Sequence, residues 1–165
     1  MSDEDIKIHR GLNNVYFDRT KTTYINGKEG VLEYRGYNIH DLSEKSSFEE
    51  VSYLLLYGKL PTKNELDAFN KSLKESREIP SKIIDIIRSI KESHPMDVLR
   101  TAVSALSAFD EEASDKSYDA TMRKGIRLTS QVPTIVMAHN AIRGGKDPIE
   151  PSKELSHAAN FIYML

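Results

Sequence analysis

The sequence predicts a mainly α-helical chain with a small β-hairpin near its N-terminus. Three observations carry this expectation. From residue 46 onward, apolar residues recur at the three- and four-residue spacing of a helix face. Serine, threonine or proline stands where those stretches begin, and glycine or proline where most of them stop. Ahead of them, one short stretch gathers strand-forming residues around a turn dipeptide.

Residues 1–5 are polar and read as a loose end of an N-terminal arm spanning 1–21. The hairpin is placed over 22–37. Thr23, Tyr24 and Ile25 favour a strand, Asn26-Gly27 is a hairpin-turn dipeptide, and Val31, Leu32 and Tyr34 resume the strand type. A helical segment is expected over 46–165. Its first helix, 46–57, opens with Ser46 or Ser47 as cap and Glu49 or Glu50 three residues on, the reciprocal capping box. Gly58 and Pro61 end it. Thr62 caps the next helix with Glu65 reaching back, and Leu66, Phe69 and Leu73 form its inner face. Pro80 separates a short helix in which Ile83, Ile84, Ile86, Ile87 and Ile90 crowd out charge, so deep burial is expected.

His94-Pro95 starts a helix over 95–109, since a proline at the first helical position gives up an N–H that would be unpaired anyway. Met96, Leu99, Val103 and Leu106 form its apolar stripe. The rest, from Thr101 to Ala108, is small, which lets other helices approach from several sides and predicts a central position in the fold or in an oligomer. A helix over 118–142 follows, with a kink expected at Pro133 and Gly144-Gly145 as its stop. The last helix is placed from Pro151 or Ser152 to Leu165. It runs out in an apolar Tyr-Met-Leu, which reads as an interrupted element; the alternative is a short helix docked by its apolar face.

Composition narrows the function. Against 25 acidic residues stand 23 Lys and Arg, a net charge of −2 that offers no electrostatic reason to bind nucleic acid or an anionic membrane. Cysteine is absent, so no thiol serves as nucleophile, metal ligand or disulfide partner. No apolar run is long enough to span a bilayer. A cytoplasmic protein is expected.

The residues that could carry chemistry read blandly. His9, His40, His94, His139 and His157 are scattered, without the i, i+4 spacing of a helical zinc site. His94 reads as a helix cap and His139 as a satisfied core or interface histidine. His157 is placed to cap or to pair with Glu154. No serine lies in a G-x-S-x-G elbow. Glu49-Glu50 and Glu111-Glu112 read as surface pairs. Arg123, Lys124 and Arg127 make a basic turn that reads as a solvated helix face in preference to a phosphate site.

Six blocks of sequence resemble the citrate synthases, in that family's order. They are Gly11-Leu12, the stretch from Glu29 to Tyr37, and Phe48 to Pro61. Next come His94-Pro95-Met96 with Arg100 to Phe109, then Pro133 to Gly145, then His157 to Leu165. The likeness is to the shorter type of archaea and many bacteria. It implies the N-terminal part of a multi-helical large domain, stopping before the small domain and the catalytic residues. In that family the parent enzyme joins acetyl-CoA and oxaloacetate, with water, to give citrate and CoA. An Asp takes a methyl proton, one His stabilises the enol and another polarises the ketone, with no metal and no permanently bound cofactor. Those motifs lie beyond Leu165 in the family. The resemblance therefore assigns no catalytic, cofactor-binding or metal-binding residue here, and the 165-residue chain alone is expected to be inactive. Arg10 and Lys116 lie near positions where relatives meet coenzyme A, but the local match is poor and neither is assigned. The resemblance also implies a homodimer through helices 95–109 and 118–142. Two other readings remain: part of a 2-methylcitrate synthase, and a non-catalytic helical interaction module. Ala105→Glu is expected to weaken dimerisation by placing a charge in a close contact.

Overall fold

The structure is a computed structural model that describes residues 10–12, 15–16 and 18–165. The readings for residues 1–5 and for His9 lie outside the described residues.

Three short strands form one antiparallel sheet: β1 (Thr23–Asn26), β2 (Val31–Tyr34) and β3 (Tyr37–Asn38), in that order. The expected hairpin is present, but Asn26-Gly27 is not its two-residue turn. Asn26 pairs with Val31, leaving a four-residue loop. The Asn26 side chain organises that loop by accepting from the Lys28 N–H at 3.2 Å and donating to Glu29 at 2.8 Å. The two-residue turn lies between β2 and β3, where Tyr34 pairs with Tyr37. Both of its central residues have positive φ, Arg35 at 51° and Gly36 at 85°, as a type I′ turn requires. The unfavourable backbone of Arg35 is offset by its side chain. Its Nη2 donates to the Leu55 carbonyl at 3.0 Å, fastening the sheet to a helix end.

Seven α-helices follow. α1 (Ile39–Lys45) went unread in the sequence because it buries only Leu42 and so shows no apolar period. α2 (Phe48–Tyr57) and α3 (Lys63–Glu75) begin with complete capping boxes, Ser47 with Glu50 and Thr62 with Glu65. Gly58 ends α2 in the left-handed region, φ 82°. α4 (Ser81–Ser89) buries Ile83 and Ile87 fully, while Ile84, Ile86 and Ile90 are half-buried. α5 (Pro95–Leu106) continues as a single 3-10 turn, Ser107–Phe109. α6 (Tyr118–Arg143) is continuous through Pro133. It stops at Gly144-Gly145, where Gly145 has φ 73° and its N–H and that of Lys146 bond back to the carbonyls of Ile142 and Ala141. α7 (His157–Tyr163) starts several residues later than expected. Ser152, read as its possible first residue, instead ties a turn by accepting from the N–H groups of Glu154 and Leu155. Ser156 is the cap.

Two further expectations are corrected. Of the two places expected for α5, the centre of the fold is taken by α6: α6 packs against α3, α4, α5 and α7, and from Ser130 to Ile142 most of its residues are buried or half-buried. The buried stripe of α5 is Val98, Ala102 and Leu106, with Leu99 and Val103 at its margin and Met96 61 % exposed. Alanine fits either face of a helix, so the small residues of α5 left its inner side undetermined. The main core joins Ile83 and Ile87, the α5 stripe, and Ile135, Ala138 and Ile142 of α6. A second cluster, Tyr53, Phe69 and Leu73, packs beside Leu56 and Ile126. There α2 approaches α6 closely, and a Cβ on Gly125 would stand 3.3 Å from Leu56 Cδ2. No helix among the described residues is long and apolar enough to cross a membrane.

Ile87 has no exposed surface and lies at the meeting point of α4, α5 and α6. Ile87→Ala is expected to cost about 2–5 kcal/mol through lost burial and the cavity left behind. Urea unfolding would read this as a lowered midpoint with an unchanged slope.

Candidate functional site

The four histidines among the described residues do not converge. His40 is exposed on α1. His94 caps α5, its Nδ1 accepting from the Met96 N–H at 3.2 Å, as the sequence suggested. His139 is buried, and its Nε2–H donates to the Lys91 carbonyl at 3.0 Å, the satisfied core role. His157 neither caps nor pairs with Glu154. Its ring stacks on Phe48 and its backbone N–H donates to Glu49. Glu49 is accordingly half-buried, not a surface acid. Among the described residues, no three His, Asp or Glu side chains gather as metal ligands would.

His139 belongs to a set of three polar side chains on α6. Gln131 Nε2 donates to the Glu78 carbonyl at 3.0 Å and Thr134 Oγ1 to the Arg77 carbonyl at 2.8 Å. With His139 on Lys91, they bond carbonyls of the α3–α4 and α4–α5 links, and the Thr134 bond satisfies a carbonyl that burial would otherwise leave costly.

In the basic turn on α6, Arg123 is exposed as a solvated face would have it, while Lys124 and Arg127 are half-buried. Arg127 donates to both oxygens of Asp110, at 2.9 and 2.8 Å, and to Glu112 at 2.8 Å. Arg123 also binds Glu112, and Lys124 donates to the carbonyls of Glu112 and Asp115. The cations are thus consumed within the chain, pinning the 110–117 loop to α6. Asp110, Glu112 and Arg127 line a cleft of ≈ 470 Å³ together with Val103, Leu106 and Leu128. Nothing in the sequence paired these charges, because they come together only when the loop folds back on α6. Arg77 was missed as well. It follows α3 among polar residues, yet is 2 % exposed and donates through Nη1 to the Ser152 carbonyl.

α5 turns a different surface outward. Arg100, Thr101 and Ser104 are exposed and, with half-buried Ala105, line a shallow groove. On α6 the row Leu128, Val132 and Val136 keeps part of its apolar surface open. These are the outer faces of the two helices expected at a dimer interface.

The ion-pair loop yields a pH prediction. Hydrogen bonds from Arg123 and then Arg127 hold the Glu112 carboxyl down at about 2, from an ordinary 4.5, and the Arg127 bonds lower Asp110 too. Groups so depressed stabilise the fold fully above their ordinary range, and that stability is lost as pH falls through it toward 2. The unfolding midpoint should therefore drop as pH falls from 4.5, and less steeply in Glu112→Gln. Identical slopes would mean that the loop is not held this way.

Comparison with known proteins places this scaffold. The family model "Citrate synthase, C-terminal domain" matches residues 11–165. The citrate synthase of Deinococcus radiodurans is 45 % identical over 159 residues, covering 96 % of this chain and 42 % of its own length. A protein of Corynebacterium glutamicum named 2-methylcitrate synthase 1 is 38 % identical, over 98 % of this chain and 42 % of its own. The crystal structure of citrate synthase from Pyrobaculum aerophilum superposes with a TM-score of 0.90 at 38 % identity, over 95 % of this chain and 42 % of that one. This chain thus spans less than half the length of these relatives. A match over nearly all of its residues, in sequence and in fold, shows that the chain belongs to the citrate synthase family.

Proposed function

We propose that this chain is the N-terminal portion of a citrate synthase, supplying scaffold and dimer-interface helices to an enzyme that condenses acetyl-CoA with oxaloacetate. The observation that carries this reading is the agreement of fold with a solved citrate synthase over 95 % of the chain and 42 % of that protein. Its placement ahead of the catalytic motifs rests on the order of the resembling blocks from Gly11 to Leu165, not on the description of the family model. The histidines fit the same view. His94 and His139 are occupied with a helix cap and a loop carbonyl, which accords with a resemblance that assigns no catalytic residue to this stretch. Acetyl-CoA then enters as a substrate and not as a resident cofactor. A cytoplasmic setting accords with the cysteine-free composition. The 38 % identity to a 2-methylcitrate synthase supports a second reading, in which propionyl-CoA is the acyl donor.

The test joins this chain to the part of the Deinococcus radiodurans relative that it does not cover. Thiol release from acetyl-CoA is then followed with and without oxaloacetate. The folded chimera is expected to turn over and the 165-residue chain alone is not. Turnover by the chain alone, or none by a folded chimera, contradicts the reading.

Self-association is expected through the outer faces of α5 and α6. Ala105 is half-buried against its own core, so a charge there would disturb the monomer as well. Ser104→Glu is the cleaner probe, because Ser104 is exposed. It should weaken dimerisation about tenfold or more, roughly 1.4 kcal/mol, with the far-UV spectrum unchanged. Sedimentation showing an unaltered dimer would remove α5 from the interface.

A further inference from the structure

α7 packs on α6 and on α2, and it meets α2 through its first residue. His157 is 8 % exposed, and its ring lies flat on Phe48, with centroids 4.5 Å apart and planes at 11°. Its backbone N–H donates to Glu49 Oε1 at 2.9 Å. Phe48 and Glu49 are the first two residues of α2, so ring and backbone both dock on that helix start. The ring Nδ1 is buried and has no hydrogen-bond partner. Two charged groups act on the ring, Arg77 from the α3–α4 link and Glu49 from α2. α6, the other helix packed on α7, contributes none among the described residues. Arg77 is itself buried, with Nη1 spent on the Ser152 carbonyl and Nε unpartnered. Glu49 already gives one oxygen to the His157 backbone.

This pocket suits a neutral imidazole, which stacks on Phe48 and needs little hydration. An imidazolium would be a second cation beside the buried guanidinium of Arg77, and its added N–H would stand at the buried, unpartnered Nδ1. Once α7 leaves α2, the same ring is solvated and free to take a proton. We propose that the contact between α7 and α2 is an acid-released latch, closed while His157 is neutral and opened when its ring is protonated. Release frees α7 from α2 and leaves the segment ahead of it, 147–156, held by Arg77 and by the exposed Arg88–Asp147 pair. The proposal stands apart from the catalytic reading.

The sign follows from proton binding. Burial first, then Arg77, lowers His157 from its ordinary 6.5, while Glu49 acts in the opposite sense. The docked state therefore binds fewer protons than the released one, and docking strengthens as pH rises. The latch is fully closed above 6.5. It weakens as pH falls through 6.5 toward the docked-state midpoint and levels off below that.

The test uses the 165-residue chain. NMR follows the His157 ring signals from about pH 8 to 5, the range of histidine titration. Amide exchange of α7, corrected for intrinsic rate, is read over the same range. The ring is expected to titrate below 6.5. Protection at Asn160 and Met164, whose N–H groups bond to the carbonyls of Ser156 and Asn160, should fall by up to about tenfold per pH unit. Protection in α4 should hold constant. In His157→Phe, which keeps the stack and cannot titrate, α7 protection should lose its pH dependence. A wild-type ring titrating at or above 6.5, constant α7 protection in the wild type, or unchanged pH dependence in His157→Phe would overturn the latch. Because the first two readings come from the wild type, a variant that fails to fold does not rescue the proposal.

Discussion

The main core of the described residues is arranged around the second half of α6. Ile135, Ala138 and Ile142 project into the main core, where they meet Ile83 and Ile87 of α4 and the Val98–Ala102–Leu106 stripe of α5. Apolar burial supplies the driving force there, but it has no direction. Direction comes from Gln131, Thr134 and His139, which bond the carbonyls of Glu78, Arg77 and Lys91. α6 thereby holds α4 by its side and by the chain links at both of its ends. Removing the Thr134 hydroxyl would leave the Arg77 carbonyl unpaired in a buried place, at about 1–3 kcal/mol.

Around that centre, arginines connect elements distant in sequence. Arg35 runs from the sheet to the last turn of α2. Arg77 runs from the α3–α4 link to the segment before α7. Arg127 runs from α6 to the loop after α5. A guanidinium carries several donors in a fixed fork, which suits it to such joints. The result is an α5 whose inner stripe is fixed by α4 and α6 while its outer residues, Arg100, Thr101 and Ser104, are left uncovered. A small, pre-organised outer face is what a close helix–helix contact with a second copy would need.

Legibility in the sequence followed locality. Ser47 with Glu50, Thr62 with Glu65, His94-Pro95 and Gly144-Gly145 were readable because each signal lies within a few residues of the structure it makes. α1 was invisible because a helix with one buried residue has no period. The inner face of α5 was misread because Ala102 and Ala105 say nothing about which side is apolar. The start of α7 was placed early because Ser152 makes a cap-like turn of its own. Of the candidate site, the cap role of His94 and the core role of His139 were legible. The Arg127–Asp110–Glu112 network and the His157–Phe48 stack were not, since their partners lie 15 or more residues apart and meet only through tertiary folding.

Native-state amide exchange across a series of low urea concentrations tests the central role of α6 most directly. The amides of Ile135, Ala138 and Ile142 should exchange only through global unfolding, with opening free energies equal to that of the whole chain and the full urea dependence. Exchange of these amides by a smaller, local opening, while those of α3 or α5 stay protected, would contradict the account.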